Sequence, residues 1–193
     1  MSAPGKINYK FYQGATVNEV LRWESTDKVY KPITAITKAA PVVITAVAHG
    51  LPIGWRTKVT SVLGMTDIND ITNYYRVSAI TTNTVTIDTI NSLGFKEYIS
   101  GGVLEYNKPI DLNGYTARMV IKAKATDPNI LYEADTTNGN IIISDINKTI
   151  TINIPASITD TFNFTTAYYL LEVYSNNGEV IPFTTGNISI VKG

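Results

Sequence analysis

Cysteine is absent from the 193 residues, which removes disulfide scaffolding, thiolate nucleophiles and thiolate metal ligands together. Histidine occurs once, at His49, so no site can be built from several imidazoles. Charge of one sign is lacking as well. Sixteen basic residues balance sixteen acidic ones, and no field exists to draw nucleic acid, an anionic membrane or an acidic substrate. Nowhere do roughly 18 apolar residues run together, and MSAPGKINYKFYQG has no basic segment followed by an apolar run, so nothing marks the chain for secretion or membrane insertion. No G-x-S-x-G, P-loop or Rossmann fingerprint occurs.

What the chain has in quantity is Thr, Ile, Val, Asn and Tyr, with few Ala, Leu, Glu and Lys at helical spacing. That is the composition of sheets and predicts an all-β protein. In YTARMVIKAKA, Tyr115, Ala117, Met119, Ile121 and Ala123 alternate with Thr116, Arg118, Lys122 and Lys124, as a strand with one face on the core requires. GNIIISDINKTITINIP gives two alternating runs around the polar SDINK, a hairpin, and Pro155 ends the second. AYYLLEVYSNNGEVIPFTTGNISIVKG repeats the logic, with Asn177 and Gly178 suited to positive φ in its turn. PASITDTF has Ser157 available as an N-cap, yet its Thr and Ile are weak helix formers, so it reads as a loop or a single turn.

The stretch 33–106 has another texture, with short strands interrupted by Gly, Asn, Asp and Pro every few residues, as in a small barrel or sandwich. A faint echo aligns ITAITKAAPVVITA with VSAITTNTVTIDT. Lys-Pro-Ile occurs at 31–33 and again at 108–110, bracketing the stretch as though a second domain had been inserted into a loop of the first. The expected organisation is 1–32 and 107–193 as one discontinuous domain, with 33–106 as the insert.

Both parts resemble known families. QGATVNEVLRWES, DLNGYTARMVIKAKA, NGNIIISDINKTITINIP and YYLLEVYSNNGEVIPFTTGNISIV together resemble small immunoglobulin-like proteins of tailed bacteriophages, including the N-terminal module of upper baseplate proteins; DLNGYTARM is the most specific piece. The insert is similar to a β module that recurs in phage tail and fibre proteins. Its landmarks are the HGL turn, a G-M-x-x-x-N hairpin at Gly64 to Asn69, a hairpin from Val77 to Thr84, and Y-x-S-G-G at Tyr98 to Gly102. It is also similar to the small β-barrel inserted in ubiquitin-activating enzymes, without implying their chemistry. The resemblance implies an immunoglobulin-like β-sandwich carrying a small β-barrel. Trp55 departs from the pattern, where a charged residue commonly follows the glycine, and an exposed tryptophan at a loop tip would be a contact residue.

Candidate chemistry is thin. His49 lacks partners to orient it as base or ligand, so AHGLPIG reads as a strand end and turn. DINDITN has the alternating Asp and Asn of a calcium loop but neither its central glycine nor its terminal acid, and an Asx-rich hairpin is the competing reading. The sequons at Asn147, Asn163 and Asn187 read as incidental. Paired carboxylates for glycoside cleavage stay open, because spatial proximity is invisible in sequence. No catalytic residue, cofactor site or metal site is assigned.

Twelve tyrosines carry more weight, since tyrosine joins buried area to a polar tip and suits interfaces and sugar sites. Trp55, Tyr74, Tyr75, Tyr168 and Tyr174 are the candidate contact residues. In YYLLEVY one face would pack inside while the other meets a neighbouring subunit. By resemblance, the expected function is structural and non-enzymatic: a phage virion component that joins tail, baseplate, neck or head to a fibre. Its expected partners are copies of itself, as a homo-oligomer, and neighbouring virion proteins, with no nucleic acid and no membrane. The competing reading is adhesion to a host-surface glycan through Trp55, Tyr74 and Tyr75. An enzyme is the third reading, and it needs a convergent polar cluster.

Overall fold

The computed structural model describes residues 3–192. Seventeen strands, one 3-10 turn at Thr66–Ile68 and one α-helical turn follow one another among the described residues. First come β1 (Gly5–Lys6), β2 (Tyr9–Tyr12) and β3 (Val17–Arg22). Next come β4 (Glu24–Pro32), β5 (Ala35–Ile36), β6 (Val42–Thr45), β7 (Arg56–Leu63), β8 (Tyr75–Arg76), β9 (Ala79–Ile80), β10 (Thr84–Ile87) and β11 (Ser100–Pro109). The chain ends with β12 (Thr116–Lys122), β13 (Ile130–Asp135), β14 (Ile141–Ser144), β15 (Thr149–Ile154), α1 (Ala156–Thr159), β16 (Thr166–Tyr174) and β17 (Val180–Val191).

The protein is all-β and divides into two compact units, Met1–Arg22 with Asp111–Gly193, and Trp23–Ile110. In the first, one sheet runs β1-β17-β16-β12-β13 with β2 also on β17, and the other runs β14-β15-β3. Labelling β3, β12, β13, β14, β15, β16 and β17 as B, C, C′, D, E, F and G gives sheets B-E-D and G-F-C-C′, the arrangement of an immunoglobulin sandwich. The insert therefore leaves between B and C. With no cysteine to join B to F, the sandwich is held by burial: Met119, Ile121, Ile150, Ile152, Leu171 and Val173 are fully enclosed. Aromatic rings extend this core, with Tyr9 centred 5.2 Å from Tyr169 and Phe162 centred 5.3 Å from Tyr132. The parallel strands β1 and β2 join β17 on either side of Gly186, where an added Cβ would meet the Ile7 carbonyl oxygen at 1.9 Å.

The second unit contains two four-stranded sheets, β4-β11-β7-β8 and β5-β6-β10-β9. They share one core of Val42, Ile44, Trp55, Val59, Leu104 and their neighbours. The expected small barrel does not close among the described residues. The physical reason is visible in β8, which pairs with β7 on one side, Arg76 with Arg56 and Tyr75 with Thr57, and with no described strand on the other. The boundaries also differ from 32/33 and 106/107. Strand β4 pairs with β11 from Pro32 back to Glu24, and this ladder draws residues 24–32 into the insert. The second Lys-Pro-Ile does mark the point of return at Ile110, whereas the first lies inside the unit.

Residues 156–159 form the expected single turn, but Pro155, not Ser157, stands at its N-cap. Proline's fixed φ suits entry into a helix and needs no hydrogen bond from its nitrogen.

Candidate protein-interaction surfaces

Strict alternation on β16 sorts its side chains into two sets. Ala167, Tyr169, Leu171 and Val173 are buried, while Tyr168, Leu170, Glu172 and Tyr174 are half-buried on the outer face. Register places Tyr168 opposite Lys122, Leu170 opposite Val120, Glu172 opposite Arg118 and Tyr174 opposite Thr116. Arg118 donates Nε and Nη2 to the two carboxylate oxygens of Glu133 at 2.8 and 2.6 Å. That fork holds the Glu133 carboxyl below the usual range and fixes the side chains flat on the sheet. The Tyr174 hydroxyl donates to Glu172 at 3.0 Å. Around Tyr168 and Leu170 the face dips into a cleft lined by Val120, Ala125 and Ile130 together with the charged Arg118, Lys122 and Glu172. Mixed apolar and polar ground with a paired charge and flanking tyrosines is chemistry that suits a protein contact. Of the residues read from sequence, Tyr168 and Tyr174 lie on this face. Arg118 was legible as outward-facing from its alternation, but Glu133 carried no signal.

In the second unit Trp55 is not at a loop tip. It is 0 % exposed, and its indole N–H donates to the Asn107 carbonyl at 2.9 Å. The expectation fails because Gly54, at φ +78°, makes the turn one residue earlier, and Trp55 shares the inward phase of Thr57 and Val59. Tyr75 packs partly against the same core. Tyr74 is half-buried, with Lys58 Nζ 4.7 Å, Arg56 Cζ 4.9 Å and Lys28 Nζ 5.6 Å from its ring centre. These cations are themselves engaged: Arg56 by Glu24 at 2.7 Å, Lys28 by Glu105 at 3.1 Å, and Lys58 by the Ile71 carbonyl at 2.5 Å. The structure brings Tyr74 and Tyr75 together as chain neighbours, and Trp55 lies inside the core beneath their sheet.

His49 is buried and serves the backbone. The Leu51 N–H donates to Nδ1 at 3.0 Å, so the ring proton sits on Nε2, which lies 2.9 Å from the Thr81 carbonyl and 3.1 Å from that of Thr84. One imidazole thus ties the 48–51 turn to the 81–84 turn. Tyr106 donates its hydroxyl to the His49 carbonyl, and burial pushes that phenol up to about 12. Asp70 accepts the N–H groups of Thr72 and Asn73 at 2.8 Å each, an Asx turn, and these donors hold its carboxyl low. Among the described residues no cluster of three or more His, Asp or Glu is placed to hold a metal ion.

The free edges of the sheets are treated unequally. Thr136 N–H donates to the Ala117 carbonyl, so by antiparallel alternation the backbone groups of Glu133 and Asp135 face away from β12. Asn138 answers both: its Nδ2 donates to Glu133 O at 3.1 Å, and its Oδ1 accepts from Asp135 N at 3.0 Å. An amide side chain stands where the next strand would be. In the insert, Asn69 does the same for Val62, accepting its N–H at 2.8 Å and donating to its carbonyl at 3.0 Å.

Fold and surfaces define an all-β, two-unit protein with an immunoglobulin-type sandwich and an inserted β unit. No protein-family model and no curated protein matches the chain.

Proposed function

We propose that the chain is a non-enzymatic structural component of a bacteriophage virion, an adaptor that joins tail, baseplate, neck or head to a fibre by protein–protein assembly. The phage assignment rests on the residue patterns DLNGYTARM and the HGL to Y-x-S-G-G series. The observation that carries assembly as the mode of action is the outer face of β16 and β12, where Tyr168, Leu170 and Val120 surround the Arg118–Glu133 fork. Such a face joins half-buried tyrosine and aliphatic side chains to a paired charge, the mixture found at protein contacts.

Adhesion to a glycan has less support. Its stacking residues are engaged elsewhere: Trp55 in the core, Tyr75 against it, and the Tyr74 ring under three cations. The discriminating experiment is incorporation into particles of the double variant Tyr168→Ser, Leu170→Ser, alongside a glycan array with the isolated protein. The adaptor reading expects lost incorporation with the circular dichroism spectrum retained, and no specific glycan signal. Full incorporation, or a specific glycan hit, contradicts it.

A further inference from the structure

The sandwich has a second feature made for association, and it lies on the sheet opposite to the tyrosine face. Strand β3 ends the β14-β15-β3 sheet. Asn153 N–H donates to the Asn140 carbonyl at 2.8 Å, so Thr149, Thr151 and Asn153 bond towards β14, and Ile150, Ile152 and Ile154 bond towards β3. Their partners on β3 are Leu21, Glu19 and Val17. The N–H and C=O groups of Asn18 and Val20 are then turned outward, along an edge that no described strand covers. Both β1 and β2, which could have covered it, pair with β17 in the other sheet.

The other edges are blunted or shorter, β2 having four residues and β1 and β8 two each. Asn138 occupies that of β13. Strand β14 has four residues and lies against β12 of the facing sheet. In the insert β4 carries Asp27, Lys28, Lys31 and Pro32, which discourage an incoming strand, and β5 and β9 have two residues each. The β3 edge has six residues, and no side chain stands against the outward groups of Asn18 and Val20 in the way Asn138 stands against β13.

We propose that the β3 edge pairs antiparallel with the same edge of a second copy, about a two-fold axis through Val20. Two-fold registers centred on Glu19 or on Val20 both set outward groups against outward groups over five residues; the first puts like charges face to face, and this selects the Val20-centred register. Asn18 of one copy faces Arg22 of the other and Glu19 faces Leu21, so no like charges meet. The outer faces also continue: Ile142, Thr151 and Val20 form one cross-strand row, with Val20 45 % and Ile142 50 % exposed. Across the axis that row becomes a single apolar stripe over six strands. An isologous contact of this kind closes as a dimer and leaves no further edge to propagate. The proposal rests on the assembly reading and names its first partner as this same chain.

Sedimentation across a concentration series should show a dimer. Val20→Pro removes the outward N–H without touching the β15 ladder and should raise the dissociation constant about tenfold or more; Val20→Lys should do likewise by charge. The cysteine-free chain allows a single spin label at Ile142→Cys. Five strand spacings separate the two copies of this position, which predicts a label separation of about 24 Å before linker length. A monomer at every concentration overturns the proposal. A dimer indifferent to both Val20 variants, with labels far from that separation, also overturns it, and leaves association through the Tyr168 face standing. Dissociation by either Val20 variant together with the expected separation supports it.

Discussion

The two units solve the same problem in different ways. In the sandwich, backbone groups are satisfied mostly by long ladders, such as β16 against β12 over seven residues and against β17 over nine. In the insert one long ladder, β4-β11-β7, is accompanied by strands β5, β8 and β9 of two residues each, and polar side chains complete what these leave. Asn69 stands in for a strand beside Val62, and His49 joins two turns. Ser92 lies 2.9 Å from the Ala39 N–H and from the Thr37 carbonyl, and Tyr98 lies within 3.1 Å of the Ile33 and Gly101 carbonyls. The lesson is that isolated polar residues in a turn-rich β unit are as structural as its core. The sandwich, satisfied by its ladders, can leave one sheet face and one edge free for partners.

Trp55→Ala tests this contrast with the largest effect. It empties the centre of the insert core and should cost about 3–5 kcal/mol, read as loss of hydrogen-exchange protection in residues 23–110 while β12, β16 and β17 keep theirs. Protection lost equally in both units would erase the distinction between them. The paired variants Asn69→Ala and Asn138→Ala sharpen it. Asn69 is half-buried and Asn138 exposed, so the first should cost about 2 kcal/mol and the second under about 1 kcal/mol in urea unfolding. Asn138→Ala should instead raise self-association, because it reopens the β13 edge; equal costs and unchanged association would contradict the clamp reading.

A smaller effect follows from pH. Glu133 is held low by Arg118, so the unfolded chain binds this proton more readily than the folded one. Its contribution is complete above the ordinary glutamate value of about 4.3 and is lost as pH falls through the depressed folded value. The group is partly solvated, so the contribution is under about 1 kcal/mol. In Glu133→Gln, acid destabilisation of the sandwich should become shallower, while the insert's profile stays unchanged. The smallest expected effect is on the stability of Tyr168→Ser, Leu170→Ser, within about 1 kcal/mol of wild type, in contrast to its loss of assembly.

Much of this architecture was legible in the residues. Alternation in YTARMVIK placed Ala117, Met119 and Ile121 inside and Arg118 outside, and IIISDINKTITINI folded as the hairpin its polar centre required. Tyr168 and Tyr174 were visible as the outer phase of YYLLEVY. Trp55 was misplaced because a glycine turn suggested a tip, although counting back by twos from Val59 and Thr57 would have put it inside. The start of the insert was misplaced because ESTDKVYK is too polar to announce a strand; its pairing with β11 is a long-range fact. Asn138 stands before Gly139 in a stretch whose local chemistry says only turn. Nothing local says that its amide will meet Glu133 and Asp135, just as nothing local pairs Arg118 with Glu133.

The most direct measurement of the proposal that the chain is a virion adaptor is cryo-electron microscopy of intact viral particles from its source. The account predicts density for it in a symmetric ring or collar, with the Tyr168, Leu170 and Arg118 face against a neighbouring virion protein. A chain absent from the particle, or present at a distal tip with residues 23–110 outward and the tyrosine face bare, would contradict it.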